Sequence, residues 1–153
     1  MSKLIFLVLL FLLHLPVKAQ TIQITDGDTI KIDGEIIRFS GIDTPESNYR
    51  GKKQVCYLND KKFYCGEFSK EKLIEKIGNN SISCEREKEK DQWDRTLAEC
   101  FVNGESLSRY MVRNGYAFDF SKYSKKKFAE DQEYAKNNNL GLWNMNFHYP
   151  WDW

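Results

Sequence analysis

Histidine is scarce in this chain, with two residues among 153, His14 and His148. His14 falls in an apolar leader segment, so His148 is expected to be the sole histidine of the folded part. Its neighbours are aromatic, and packing is its expected role. Histidine-metal nucleases and zinc hydrolases with paired histidines need more than one histidine, and a Ser-His-Asp enzyme needs one that is available for proton transfer rather than for packing. Acid–base chemistry is therefore left to carboxylates acting with a metal ion.

Several other signals are missing. The sequence has no Cys-x2-Cys pair of the kind found in zinc sites. It has no glycine-rich phosphate loop, so nucleotide triphosphate hydrolysis has no support. It also has no internal repeat. The net charge is +1, and removal of Lys3 and Lys18 with the leader makes it −1. The chain is therefore not a polycation that coats nucleic acid. Attraction to phosphate must come from local basic segments, each of which is more often a solvated surface: Arg50–Lys53, Lys61–Lys62 and Lys122–Lys127.

The first residues are typical of a secretory signal peptide. Lys3 precedes an almost unbroken apolar run, Leu4–Leu15, and Ala19 stands at a cleavage position. We expect residues 1–19 to be removed, which predicts a secreted or periplasmic protein without stable membrane insertion. The apolar run is shorter than the about 20 residues of a comfortable span. An uncleaved anchor is the alternative. Residues 20–153 are long enough for one domain with a real core.

Four cysteines follow the leader. An even number behind a signal peptide favours disulfides, and three pairings are possible. Cys84 and Cys100 would face each other across an antiparallel hairpin centred near Gln92, whereas Cys56 and Cys65 share one loop. We therefore predict the pairs Cys56–Cys65 and Cys84–Cys100.

Hydrophobic periodicity predicts an α+β domain, a small five-stranded barrel of the oligonucleotide-binding (OB) type with three α-helices. Asp28, Ile30 and Ile32 are alternate residues, so their side chains should lie on the same, core-facing side of the strand, with Asp28 at its end. The aromatic tail at 141–153 is expected to pack on the barrel as a strap. The predicted strands are 21–25, 29–32, 35–42, 81–85 and 96–102, the predicted helices are 67–77, 107–114 and 125–137, and residues 46–65 and 85–94 are predicted to be an irregular loop and an exposed turn.

Three short motifs bring together the residue types that phosphodiester cleavage requires. They supply three carboxylates for a hard metal ion, which takes oxygen ligands, and two arginines, which meet a phosphate with paired hydrogen bonds. Alone, Asp-Gly-Asp is usually a hairpin turn, and Thr-Pro-Glu is a helix start or turn. Their occurrence in order is more informative than any one of them. The motifs are Asp26–Thr29, Arg38–Glu46 and Asp91–Arg95.

The order and spacing of these motifs resemble the staphylococcal nuclease (thermonuclease) family over nearly everything after residue 20. The resemblance implies an OB fold and calcium-dependent hydrolysis of DNA and RNA, with little sequence specificity and 3′-phosphate products. It also implies a monomer, with single-stranded substrates preferred. By resemblance, Asp28, Asp43 and the Thr44 carbonyl would bind Ca²⁺. Glu46 would orient or deprotonate the water, while Arg38 and Arg95 would clamp the phosphate.

The chain departs from the family before the second arginine, where Trp93-Asp94 replaces the usual Tyr-Gly. Asp94 is expected to compete for Arg95. Trp93, Phe120 and Tyr123 are candidates for base stacking or ordinary rim aromatics. Two other classes stay open. A catalytically silent nucleic-acid-binding barrel is the main alternative. A secreted calcium-stabilised adhesion module is the other, and it would need the acids but not the arginines.

Overall fold

The structure, a computed structural model, describes residues 19–153. All of the predicted signal peptide except Ala19 lies outside the described residues. The strands are β1 Ile22–Asp26, β2 Thr29–Ile32, β3 Glu35–Phe39, β4 Ile42–Asp43, β5 Val55–Leu58, β6 Lys61–Tyr64, β7 Ser83–Lys90, β8 Thr96–Val102, β9 Glu105–Ser106 and β10 Phe118–Asp119. The α-helices are α1 Cys65–Ile77, α2 Leu107–Arg113, α3 Ser121–Ser124 and α4 Ala129–Asn137, followed by 3-10 turns at Gly141–Asn144 and Pro150–Asp152.

The main sheet has the strand order β1-β2-β3-β8-β7, and β9 also pairs with β8. β3 runs parallel to β8, and the other neighbours are antiparallel. The segments just before the two outer strands, β1 and β7, are joined by Gln20. Its side chain donates to the carbonyl of Ile82 at 2.9 Å and accepts from the Ile82 amide at 2.8 Å. This arrangement is the expected α+β fold of the OB type. Among residues 19–153, no helix is both long and apolar enough to cross a membrane.

The inner face of the β1–β3 meander forms the core. Ile30 and Ile37 are fully buried, and Phe39 nearly so, each stabilising the fold by about 1.5–3 kcal/mol through burial. Helices α1, α2 and the start of α4 cover this row with Leu73, Ile77, Met111, Val112 and Phe128. Asp28 is buried at the end of the same row, which confirms the argument from alternate residues and carries a carboxylate to the rim of the core.

Both predicted disulfides are present, Cys56–Cys65 and Cys84–Cys100. Cys84 and Cys100 are opposed residues of the β7–β8 ladder. Cys56 and Cys65 belong to a second buried cluster with Phe118. The aromatic tail packs on that cluster, as the strap prediction required, through Trp143, Met145, Phe147 and Tyr149.

The prediction of an irregular loop at 46–65 was wrong in its second half. Residues 55–64 form a β-hairpin, β5–β6, that pairs over Val55–Tyr64. Its turn is Asn59-Asp60, and both residues have positive φ angles, 48° and 61°. This left-handed pair suits a tight hairpin turn. The turn residues between two short runs with β-forming side chains were the missed signal.

Two further boundaries differ from the predictions. The charged segment 85–94 is mainly strand, because β7 continues to Lys90 along β8, although no residue of β7 is buried. Backbone pairing decides its structure here, rather than hydrophobic alternation. The helix predicted at 125–137 begins only at Ala129, since Lys125 and Lys126 have φ angles of 54° and 68°. The chain turns there between α3 and α4.

Candidate active site

Arg38 lies between two aspartates, Asp28 and Asp43. Its two terminal nitrogens contact Asp28 Oδ2 at 2.8 Å and Asp43 Oδ1 at 2.6 Å. All three side chains are at most 14% exposed, so these ion pairs are poorly screened by water. The structure thus brings the predicted phosphate-binding arginine into direct contact with both predicted metal-binding aspartates.

Asp28 is fixed by its neighbours as well as by Arg38. The amide and the hydroxyl of Thr44 each donate to Asp28 Oδ2 at 2.8 Å, and the Thr29 hydroxyl donates to Oδ1 at 3.0 Å. Thr44 therefore reaches the site through its amide and hydroxyl. Use of its carbonyl by a metal ion stays a prediction.

A fourth carboxylate, Asp26, joins the cluster and was not among the predicted site residues. It accepts hydrogen bonds from the amides of Gly27 and Ser47. Burial, together with the nearby Asp28, raises the pKa of Asp26 to about 7. The Asp26-Gly27-Asp28 motif was the available signal, because Asp26 ends β1 and Asp28 lies in the tight turn that follows, close enough for its charge to raise the pKa of Asp26.

The same two causes raise the pKa values of Asp43 and Glu46. Burial and then Asp28 raise the pKa of Asp43 to about 7, although Arg38 opposes the shift. Burial and Asp28 also raise the pKa of Glu46, again against Arg38. Four carboxylates around one guanidinium hold more negative charge than the site neutralises, and added positive charge would relieve this.

Glu46 is positioned through its backbone. Its amide donates to Gln54 Oε1 at 3.0 Å, and its carbonyl accepts from the Gln54 amide at 3.0 Å. The fully buried Gln54 side chain also donates to the carbonyl of His148 at 2.8 Å. Gly66, in the first turn of α1, lies so close that an added Cβ would be 2.2 Å from the Glu46 carbonyl.

The second predicted arginine, Arg95, is held by Asp91 in the β7–β8 turn. Asp91 Oδ2 accepts from Arg95 Nε at 2.6 Å, and Oδ1 accepts from the amides of Trp93 and Arg95 at 2.9 Å. Burial alone would raise the pKa of Asp91, but these bonds outweigh burial and lower it. The expected competition from Asp94 was wrong, because Asp94 turns away and pairs with Lys90 at 2.9 Å.

Arg38 and Arg95 line one cleft of about 440 Å³. Arg38 is in register with Leu97 across the parallel β3–β8 pair, and Arg95 precedes Leu97 by two residues, so the three side chains share one face. Trp93, Phe120 and Tyr123, the candidate stacking residues, line the same cleft.

The tail supports one wall of this cleft. Trp151 stacks on Phe120 with ring centroids 5.0 Å apart and planes within 5°, and Tyr149 stacks on Trp151 at 4.7 Å. Phe120 also meets Tyr123 edge to face at 4.9 Å. Phe120 is therefore held from behind by the strap. Sequence reasoning assigned the strap to packing alone and missed this contact with the cleft wall.

The site suits a hard cation by donor type and charge. Asp28, Asp43 and the Thr44 carbonyl offer oxygen atoms only, as calcium prefers. Burial, and after it the charge of Asp28, raises the pKa values of Asp26 and Asp43, and a bound cation would oppose both effects. Across residues 19–153, no three His, Cys, Asp or Glu side chains form a ready-made metal cluster. Arg38 occupies carboxylate oxygens that a cation would share, so its ion pairs would have to rearrange.

Fold and site together define a small OB-type α+β domain built around an acid–arginine centre beside an aromatic cleft. The model of the family described as staphylococcal nuclease homologue matches residues 36–145. The chain belongs to the staphylococcal nuclease family.

Relatives with known names come from bacteria and plants. The chain is 30% identical over 125 residues to the succinoglycan biosynthesis protein ExoI of Rhizobium meliloti (strain 1021), a match covering 79% of this chain and 62% of that protein. It is 32% identical over 119 residues to the probable staphylococcal-like nuclease CAN3 of Oryza sativa subsp. japonica, with 76% and 28% covered. An uncharacterized endonuclease of Haemophilus influenzae is 29% identical over 130 residues, with 81% and 65% covered. The chain spans less than two thirds of the length of each of these three relatives.

Proposed function

We propose that the protein is a secreted, calcium-dependent nuclease that hydrolyses DNA and RNA with little sequence preference and leaves 3′-phosphate products. The observation that carries this proposal is the contact of Arg38 with both Asp28 and Asp43, beside Glu46 and at the edge of the cleft lined by Arg95. Family membership supports the reaction class, and the two disulfides fit an oxidising compartment. We propose a monomer acting preferentially on single strands.

Arg38 and Arg95 have the chemistry to hold one phosphate from two sides of the cleft. Each guanidinium offers paired donors to non-bridging oxygens, and the interaction strengthens as negative charge accumulates on them in the transition state. Arg38 has to exchange at least one aspartate contact for a phosphate contact. Substrate binding and reorganisation of the Arg38 ion pairs are therefore coupled.

Glu46 is the candidate base. It carries a raised pKa and lies half-buried within the electrostatic reach of Arg38 and Arg95. A carboxylate there can orient or deprotonate a water molecule that attacks phosphorus in line with the leaving oxygen. Asp28, Asp43 and the Thr44 carbonyl would hold calcium, which when bound supplies a Lewis acid to a non-bridging phosphate oxygen. Asp26 would add negative charge that favours the cation.

A catalytically silent nucleic-acid-binding module is the second candidate, and one observation favours it. The two ion pairs of Arg38 occupy oxygens of Asp28 and Asp43, so a rigid Arg38 would block both the cation and the phosphate. In that protein the arginines would bind nucleic acid without cleavage.

The deciding experiment follows cleavage of single-stranded DNA and of RNA in calcium, in magnesium and in excess chelator. We expect cleavage in calcium, partial activity in magnesium, which demands a tighter octahedral site, and none in chelator. End analysis should find 3′-phosphates. Full activity in chelator would exclude the proposed site, and binding without cleavage in calcium would support the silent module.

Glu46→Gln separates the base from the cation site. It should slow hydrolysis by on the order of 10²–10⁴, while calorimetry should find calcium binding largely kept. Asp43→Asn is the matched comparison, since it should lose calcium affinity together with activity. Loss of calcium binding in Glu46→Gln with normal binding in Asp43→Asn would reverse the assigned roles.

A further inference from the structure

The β5–β6 hairpin and the segment before it concentrate positive charge on a chain that is otherwise acidic. Residues 49–64 contain five basic residues against Asp60 alone, a net +4, while residues 20–153 together carry −1. Four aromatic side chains in the same segment are between 39% and 50% exposed. The surface formed by these nine side chains is called the basic hairpin surface: Tyr49, Arg50, Lys52, Lys53, Tyr57, Lys61, Lys62, Phe63 and Tyr64.

The aromatic rings of this surface do not belong to a core. All four residues of β6 are exposed, so neither face of the strand packs against the barrel. Tyr64 instead lies between two lysines, with Lys53 Nζ at 5.4 Å and Lys62 Nζ at 5.3 Å from its ring centroid. Arg50 covers Tyr49 at 5.2 Å. Cations interleaved with exposed rings are the surface chemistry that binds single-stranded nucleic acid.

The hairpin is rigid at its base, although it projects from the domain. The Cys56–Cys65 disulfide closes it, and Tyr57 exchanges two backbone hydrogen bonds with Asn146 of the strap, at 2.9 and 2.8 Å. A platform that is already ordered loses little conformational entropy on binding. The exposed rings are thus presented in fixed positions.

The same hairpin is joined directly to the proposed catalytic site. Gln54, the residue before β5, is bonded to Glu46 in both directions. The four residues of β5 reach on the order of 13 Å beyond Gln54 at about 3.3 Å per residue. A dinucleotide could occupy the catalytic site alone, whereas a longer strand can reach both.

We infer that the basic hairpin surface is a second binding site for the single-stranded polynucleotide substrate, outside the catalytic cleft. The inference rests on the proposed function for the identity of the ligand. Phosphates meet the lysines and Arg50, and unpaired bases stack on the exposed rings. The site raises affinity for long substrates and contributes nothing to hydrolysis of a dinucleotide.

The test uses two hairpin variants, the double substitution Lys61→Gln/Lys62→Gln and the single substitution Phe63→Ser. The control is the double substitution Lys70→Gln/Lys136→Gln, which removes two positive charges from helices α1 and α4 instead. Binding of labelled oligothymidylate of about 16 nucleotides is measured in chelator, between about 50 and 200 mM salt. We expect each hairpin variant to weaken binding by roughly five- to tenfold, on the order of one lost base stack. The lysine variant should also lower the salt slope by about 1.4, at ~0.7 per contact. The control should bind like the parent.

In calcium, both hairpin variants should cleave a dinucleotide at the parent rate and the long oligonucleotide with a raised KM. Unchanged oligonucleotide binding in the hairpin variants would overturn the inference, and so would an equal loss in the control. Loss of binding to phosphatidylserine vesicles, with oligonucleotide binding intact, would assign the surface to lipid and also overturn it. The binding measurement in chelator does not depend on cleavage. A parent protein that binds but does not cut in calcium would refute the proposed nuclease activity, and the comparison of oligonucleotide binding between hairpin and control variants would still test this inference.

Discussion

Gln54 holds Glu46 through two reciprocal hydrogen bonds, one from the Glu46 amide to the Gln54 side chain and one from the Gln54 amide to the Glu46 carbonyl. The same side chain reaches the carbonyl of His148 in the strap. One buried amide therefore connects the proposed base, the disulfide-closed hairpin and the aromatic tail.

Gln54→Leu should lower kcat more than it raises KM. It leaves the Glu46 amide and the His148 carbonyl without partners, and each buried unpaired group costs about 1–3 kcal/mol. Thermal unfolding and steady-state kinetics measure the two effects. Gln20→Leu is the control, because it also removes two glutamine bonds to backbone but far along the chain from Glu46. A kcat loss in Gln20→Leu equal to that in Gln54→Leu would mean that stability alone explains the effect.

Replacing either clamp arginine should reduce kcat far more than substrate affinity. Loss of one donor to a developing charge costs on the order of 10²–10³ in rate. Arg38→Lys and Arg95→Lys should recover little, since lysine lacks the planar pair of donors. Arg113→Ala is the matched control, because its partner Asp131 keeps Arg109. Full activity in the lysine variants would show that positive charge alone, rather than the paired donors of arginine, explains the effect.

Gly66→Ala should destabilise the protein and lower its activity. Alanine in place of glycine inside a helix normally stabilises by about 0.5–1 kcal/mol, and here the new Cβ would meet the Glu46 peptide at 2.2 Å. Chemical denaturation gives the sign of the change. An ordinary stabilisation with full activity would show that α1 shifts without disturbing Glu46.

Asp94→Gly should leave kcat unchanged, because Asp94 bonds Lys90 rather than Arg95. It should raise the melting temperature slightly, since the φ angle at this position is 61° and glycine adopts that conformation without strain. Asp91→Ala is its counterpart and should lower activity, because Asp91 organises both the turn and Arg95. A change in kcat in Asp94→Gly, with normal activity in Asp91→Ala, would show that Asp94 rather than Asp91 controls Arg95.

Sequence patterns predicted the parts of the fold that depend on buried faces. The alternation in 21–32 placed Ile30 and Asp28 on the core side, where they are found, and the hairpin argument paired Cys84 with Cys100. The strand predicted at 81–85 is present, but its continuation from Arg86 to Lys90 was missed, since the charged side chains there face water and β8 supplies the backbone partners. Periodicity carries no signal where neither face is buried.

The site was predictable as a set of residues but not as a network. The motifs named Asp28, Arg38 and Asp43, yet the double ion pair of Arg38 depends on how strands bring these residues together. The roles of Gln54 and Gly66 depend on contacts with Glu46 across the fold and have no local pattern. Asp91 was inside a recognised motif, but only its bond to Arg95 distinguishes it from Asp94.

The alignment of β3 with β8 determines whether Arg38 and Arg95 lie on the same face of the sheet, and the β7–β8 turn holds Arg95 in place. A slip by one residue would turn one arginine away, because neighbouring positions of a strand point to opposite sides. Cys84 and Cys100 are directly opposed in the native register, so their disulfide closes readily in that alignment. Formation of this disulfide therefore depends on the register of β7 against β8, and with it on the turn in which Asp91 holds Arg95. A chain misaligned there retains two free thiols, which distinguish it chemically from the correctly paired protein.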